Sequence, residues 1–479
     1  MYTIYIENKL ICFSNIYYNS GGHKYMADLN EKAVESTAPK ATTTKPKTNT
    51  AATKTPKVAK ESNEGQNVRF VVVAEGQGGA SIGQVLCASL PNNPFMIAVN
   101  TSDQDMDQLG LPDNQLFKIG GPTANGAGKS RNKAKTYYKN FAATNINDKS
   151  KSYDALTTLI GYYEEVFFHP KDQVIIITCF SSDGGTGSGI GPMLTTALTN
   201  FVNTTKSFVY GGKEYEIDDV TNSVPRPVVV ALTPKCAINK KTGALNIQNT
   251  RECFLDIQRA IDAGIGHFFI ADNNLEGVEY NSTEEMYRIL NARIVAPFVK
   301  FLGIEMNSNI KCMDLQDKIN SLRISGCSSF MSVTKNNMYQ YIIPHGQSVA
   351  RTVAMIRYDP DDPGIEEKKV DDFMKRLDIT SVDYMPVFFQ VDKSGIVSDS
   401  ISKDLISSSM IVLFGWKSLS AIVEDLTDQL KRIEATNDKK ASIVADSARG
   451  FDTIADDAAE LADRFGTKSM DQSAINDLF

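Results

Sequence analysis

A run of glycines joins two segments of different periodicity. Ser181-Ser182-Asp183-Gly184-Gly185-Thr186-Gly187-Ser188-Gly189 follows the β-branched stretch Val174–Thr178 and precedes the helical pattern Gly191–Val202. Glycines at a strand-to-helix junction let backbone N–H groups approach an anion closely, and the following helix adds its positive end. Thr186 and Ser188 add hydroxyl donors. The pattern predicts a phosphate-cradling loop; a plain surface loop would not place its glycines at such a junction.

The junction belongs to a series. Val68–Ala74 is a continuous apolar run feeding a glycine cluster, and Ser81–Leu90 has helical spacing. Phe95–Val99 leads into Asn100-Thr101-Ser102-Asp103, Tyr153–Phe168 is helical, and Val228–Leu232 is again β-branched. A helix from Asn249 to Ala263 and the strand His267–Ala271 follow. Alternation of this kind specifies an α/β, doubly wound parallel sheet. Phe208–Ile217, with Gly211-Gly212 in its middle, predicts an inserted hairpin.

Further on the pattern changes. A long helix is predicted from Thr283 to Leu302, then strands at Ser328–Val333, Ser348–Ile356, Pro386–Asp392 and Met410–Phe414, a smaller α+β unit. Leu419, Ile422, Val423, Leu426, Leu430 and Ile433 mark an amphipathic helix. Residues 441–479 hold eight acids against three bases. The expected organisation is a disordered extension over 1–66, a nucleotide-binding domain over 67–282, a central helix and loop over 283–311, a C-terminal α+β domain over 312–416 and a helical, acidic tail over 417–479. Disorder before residue 67 is expected because Ser36–Lys60 holds six lysines, three prolines and no acid, too little apolar surface to offset ordering. Translation from Met1 or from Met26 fits equally.

The net charge of −7 argues against a surface coated for nucleic acid. Seven scattered cysteines without a CxxC pair fit thiols in a reducing cytosol, and no apolar run reaches the ~18–20 residues that span a bilayer. The four histidines form no spaced pair, so no metal-ligating set is identified.

Two other glycine clusters narrow the chemistry. Ala74-Glu75-Gly76-Gln77-Gly78-Gly79-Ala80-Ser81-Ile82-Gly83 invites a dinucleotide-binding assignment, but Ser81 occupies the third glycine position of GxGxxG. Gly120-Gly121-Pro122-Thr123-Ala124-Asn125-Gly126-Ala127-Gly128-Lys129-Ser130 ends like a P-loop, yet Thr123 stands where Walker A needs glycine.

Three glycine loops on one sheet, without an intact Rossmann or Walker motif, resemble the tubulin/FtsZ superfamily of filament-forming GTPases. Gly76-Gln77-Gly78-Gly79-Ala80-Ser81-Ile82-Gly83 is similar to the first phosphate loop of tubulins, and Asp183-Gly184-Gly185-Thr186-Gly187-Ser188-Gly189 to the superfamily signature. The resemblance covers Asn67 to Val333, more loosely to Phe414, and is nearest to the divergent phage and plasmid tubulins.

The resemblance implies roles. Gly76, Gln77, Gly78 and Gly79 would line the α- and β-phosphates of GTP; Asn100, Thr101 and Asp103 match a second loop near phosphate and Mg²⁺. Gly126, Ala127 and Gly128 match the third loop, which senses the γ-phosphate. Arg251 sits where a basic residue meets the nucleotide, while the acidic position before it is Ile247 here. Asn273 matches the asparagine that reads the guanine edge. Tyr287 and Asn291, one turn apart on one helix face, match the residues that stack on guanine and hydrogen-bond it. Taken alone, Tyr287 is more readily a core residue, and Asn273 is as readily a turn residue. Asp314 and Asp317 are by position either N-terminal capping acids or, in the resemblance, the catalytic acids that enter the neighbouring subunit's site. Cys312 replaces an asparagine of FtsZ, and Asp183 replaces the first signature glycine.

The implied function is a GTPase that polymerises head to tail and hydrolyses GTP at the subunit interface to position or segregate DNA or phage cargo. The alternative is a GTP-stabilised structural filament or adaptor with negligible hydrolysis. Implied partners are further copies of itself and an adaptor on the C-terminal tail. Neither membrane insertion nor direct nucleic-acid binding is expected, and the expected location is a bacterial cytoplasm.

Overall fold

The computed structural model describes residues 2–6, 9–13, 67–120, 124–139, 155–217, 224–236, 243–273, 280–303, 313–333, 338–339, 342, 344, 346–357, 365–389 and 409–436. The chain forms two units, 1–62 and 63–479. In the first, β1 (Tyr2–Ile6) and β2 (Lys9–Phe13) pair antiparallel with Ile4 opposite Ile11. Their tyrosines and isoleucines favour a pleated ribbon. The expectation of disorder over 1–66 therefore does not extend to these ten residues, and 14–66 lie outside the described residues.

The second unit is built on one sheet. β3 (Val68–Glu75) sits inside it, flanked by β4 (Phe95–Asn100) and then β5 (Leu116–Lys118) on one side. On its other side come β6 (Gln173–Phe180), β9 (Val228–Lys235), β10 (His267–Asp272) and β11 (Gly326–Val333), all parallel. The hairpin β7 (Ser207–Tyr210) and β8 (Lys213–Glu216) stands apart as the glycine pair predicts. A two-residue strand, β12 (Met338–Tyr339), pairs with β11. Beyond β11 the order is β15 (Ser409–Trp416), β13 (Ser348–Arg357) and β14 (Thr380–Phe389). Here β15 runs antiparallel to both neighbours. His267–Phe269 pairs with Gly326–Ser328, so the expected boundary at 312 is no break in the sheet.

Strand alternation divides the helices between two faces. Val72, Ile177, Leu232, Phe269, Phe330, Val353 and Phe414 face one layer with α1 (Gly76–Ser89), α7 (Thr283–Gly303) and α8 (Leu315–Leu322). Along α7, Phe298 and Phe301 meet Phe269, Phe330 and Phe414, joining both halves of the sheet. The opposite layer holds α3 (Arg131–Lys139), α4 (Ala155–Phe167), α5 (Thr186–Thr204), α6 (Ala244–Asp262) and α9 (Ile365–Arg376). A short α2 (Asp103–Asp107) follows β4.

The amphipathic helix at 420–436, α10, packs on the α6 layer, with Leu419 and Leu426 buried. Gln258 bonds the Leu419 N–H, and Arg251 bonds Thr427. Residue numbers thus fall along α6 as they rise along α10, so the two helices are antiparallel and α10 ends beside the start of α6. Residues 437–479, the acidic tail, lie outside the described residues.

Candidate functional site

The chain leaves β3 for β4 and β5 on one side, then jumps to β6 on the other. That makes β3/β6 the topological switch point, where loops after adjacent strands diverge to opposite faces and open a crevice at the carboxyl ends. Both predicted phosphate loops lie there. Gly76, Gln77, Gly78 and Gly79 form the first turn of α1, five residues earlier than the predicted helix start, and Gln77 and Gly78 are exposed. After Asp183, Gly184 and Gly185, the residues Thr186, Gly187, Ser188 and Gly189 form the first turn of α5. Two helix N-termini, each with unsatisfied N–H groups, therefore point into one crevice.

Their close approach requires glycine. Gly76 has φ +69°, and a Cβ there would lie 2.9 Å from the Gly187 nitrogen. A Cβ on Gly187 would lie 2.7 Å from the Glu75 carbonyl oxygen. Beside them Thr101 Oγ1 and Thr186 Oγ1 are 2.8 Å apart and buried, linking the second loop to α5. Asn100 holds the Thr101 N–H, and Asp103 is ion-paired with Lys118.

The third loop closes the crevice. Gly126 N–H bonds the Thr101 carbonyl at 2.8 Å; Ala127 is buried, and Gly128 and Lys129 have left-handed backbones. Lys129 Nζ bonds Asn246 Oδ1, and Asn246 Nδ2 bonds the Asp183 carboxylate at 3.1 Å. Ser181 also donates to Asp183, so the carboxylate in the signature's first glycine position is held by two donors.

The residues expected to read the base lie at the end of β10 and on the first turns of α7. Asn273 follows β10 directly, and its Oδ1 is buried without a hydrogen-bond partner. Tyr287, on the second turn of α7, is 56% exposed although it is a large aromatic, and Asn291 one turn on is half-buried. An orphaned amide oxygen, an open ring and a half-buried amide are groups of the kind that a flat heterocycle with an N–H donor edge would engage. The residues present therefore fit a guanine nucleotide.

Arg251 is placed differently from the sequence expectation. Its Nε donates to Thr427 Oγ1 at 2.8 Å, so it serves the α6–α10 contact. The contact is 176 residues away in sequence, beyond the reach of local pattern. Sequence reasoning also gave no role to Glu75, the last residue of β3: it is buried with both carboxylate oxygens unpartnered, and burial pushes its pKa well above the usual range. A charged residue ending an apolar strand was its only signal.

Asp314 and Asp317 are not in the crevice. Asp314 is the N-cap of α8, its Oδ1 accepting from the Asp317 N–H at 2.8 Å. Lys318, fully buried, donates to Leu302 O at the C-terminal end of α7, and Arg323 donates to Arg226 O just before β9. The helix thus lies at the amino ends of the strands, while the glycine loops lie at the carboxyl ends. The eight residues of β9 span roughly 25 Å.

Comparison with known proteins agrees with this layout. No family model and no curated protein matches the sequence. Among solved structures, TubZ of Clostridium botulinum phage c-st matches at TM-score 0.50 and 14% identity, over 77% of this chain and 98% of that one. This is the tubulin/FtsZ fold. A GTPγS-form TubZ protofilament from Bacillus thuringiensis serovar israelensis matches at TM-score 0.53 and 13% identity, over 78% and 94% of the two chains. CetZ2 from Haloferax volcanii, solved as a GTPγS-bound protofilament, matches at TM-score 0.51 and 15% identity, over 77% and 99%. No described helix is long and apolar enough to cross a membrane.

Proposed function

We propose that this chain is a GTPase that polymerises head to tail, with GTP and Mg²⁺ at each subunit interface. The observation that carries the reading is the separation of Asp314 and Asp317 from the crevice: they stand at the opposite end of the sheet, so they reach a nucleotide only in another copy. A heterologous contact of that kind extends into an open filament.

The N–H groups of Gly76–Gly79 and Thr186–Gly189 bind the phosphates, and Asn273 and Asn291 satisfy the guanine edge while Tyr287 stacks on the base. Water attacks the γ-phosphorus, the bond to the β–γ bridging oxygen breaks, and GDP and phosphate leave. Asp314 and Asp317 of the neighbour orient that water and accept its proton. Mg²⁺, when bound with the triphosphate, neutralises phosphate charge. Thr101 and Thr186, whose hydroxyls meet beside the cradle, and Asp103 of the second loop are the oxygens that would hold the ion. The filament positions or segregates DNA or phage cargo in a bacterial cytoplasm, with an adaptor on the acidic tail.

Sedimentation and phosphate release with GTP, ATP and NAD side by side test the reading. Polymer with GTP, and a per-subunit rate that rises with polymer, is expected; equal rates in dilute monomer and polymer would overturn it. A second reading, a GTP-stabilised filament with negligible turnover, is favoured by Asp183 beside the phosphates and by Asp314 serving as a helix cap. It predicts sedimentation with GTP without phosphate release.

A further inference from the structure

We infer that Asn249 is a positioning residue that fixes the third loop against the signature loop, and so sets the discrimination of nucleoside triphosphate from diphosphate. The inference rests on the nucleotide-binding reading above. Asn249 is 3% exposed on α6, and its Nδ2 donates to Lys129 O at 2.9 Å and to Asp183 O and Gly184 O at 3.2 Å each. One carboxamide therefore joins the last residue of the third loop to the first two of the signature loop. The joint is reciprocal, because buried Arg131, at the start of α3, donates to Asn249 O at 2.8 Å and pairs with Asp256.

The two loops are also in backbone contact. A Cβ on Gly185 would lie 2.8 Å from Lys129 Cα and 2.9 Å from Ser130 N. The third loop forms the outer wall of the crevice, tied to Thr101 on one side and Gly185 on the other. It carries the ammonium of Lys129, which donates to the neutral amide oxygen of Asn246. A cationic wall held at fixed distance from the phosphate cradle favours the ligand with the extra terminal charge. Loss of the Asn249 amide removes a donor from the Lys129 carbonyl in this wall and from the Asp183 and Gly184 carbonyls of the signature loop, and frees the third loop to move outward.

Calorimetry with GTP and GDP on the full chain tests this, using Asn249→Leu and, on the same helix, exposed Gln248→Leu as the control. The ratio of GTP to GDP affinity should fall about tenfold in Asn249→Leu, mostly through weaker GTP binding, and stay unchanged in Gln248→Leu. Equal weakening of both nucleotides, or an unchanged ratio in the folded variant, would overturn the inference. If Asn249→Leu does not fold, Gly185→Ala gives the answer, because its Cβ wedges the same two loops apart and should lower the same ratio. A wild-type chain that binds neither nucleotide defeats the functional reading itself; one that binds both equally defeats only the role of Asn249.

Discussion

Arg251 on α6 and Thr427 on α10 are joined by a 2.8 Å hydrogen bond between Nε and Oγ1, with Lys235 and Asp425 ion-paired at 3.1 Å. The polar contacts orient α10, but its stability comes from Leu419 and Leu426, both buried against α6 and β15. Because the Arg251 Nε is engaged by Thr427, its loss should act on the C-terminal helix before it acts on nucleotide binding.

Leu426→Ala should therefore lower the unfolding free energy by about 2–5 kcal/mol, measured by chemical denaturation. Thr427→Val should loosen α10, seen as faster hydrogen exchange over 420–436, while GTP affinity stays within about twofold. A large loss of GTP affinity in Thr427→Val would mean that α10 supports the crevice directly.

The two acids need separate variants because Asp314 has two jobs. Asp314→Ala removes the N-cap as well as the charge and should cost about 1 kcal/mol of stability. Asp314→Asn keeps a capping oxygen, so it should preserve folding, GTP binding and assembly while losing most turnover. Asp317→Ala should behave likewise, and filaments of both should persist longer after GTP is limited. Unchanged phosphate release in Asp314→Asn would remove that carboxylate from the mechanism.

The proposed guanine preference would rest on Asn273 and Asn291. We expect GTP to bind about tenfold or more tightly than ATP, since adenine would leave buried amide groups unpaired. Asn273→Ala should erode the preference from the GTP side only. Equal calorimetric affinities for GTP and ATP in the wild type would show that the orphaned Asn273 oxygen does not read the base.

The sheet and its loops were legible because parallel strands buried on both faces are written as β-branched runs, and the glycines fall where those runs end. The helices start at Gly76 and Thr186, earlier than the apolar spacing predicts, because glycines that form a first turn look like loop. The strand predicted at Pro386–Asp392 is Thr380–Phe389: Pro386 is tolerated mid-strand because β14 lies at the edge of the sheet, paired among the described residues with β13 alone, and its exposed half, with Val382 and Tyr384, lacks an apolar pattern. The partners of Arg251, Asn249 and Lys318 are long-range facts. Which carbonyl or hydroxyl each side chain meets depends on how α6, α8 and α10 pack, and no local spacing records it.

The buried acid beside the cradle gives a pH signature. Glu75 is wholly buried, and desolvation raises its pKa well above the 4.5 of a free glutamate, so the folded state keeps its proton where the unfolded state has lost it. Its contribution to stability is fully present below the unfolded pKa and is lost as pH rises through the folded pKa. Glu75→Gln has a neutral side chain of nearly the same shape and no such dependence. The stability of Glu75→Gln relative to wild type should therefore grow from about pH 4.5 upward, by at most about 1.4 kcal/mol per pH unit, until the folded-state pKa is reached. Denaturant melts of both proteins at pH 5, 6, 7 and 8, without nucleotide, measure the difference. A gap that stays constant across that series would mean the carboxyl is ionised throughout and has a partner that compensates its charge.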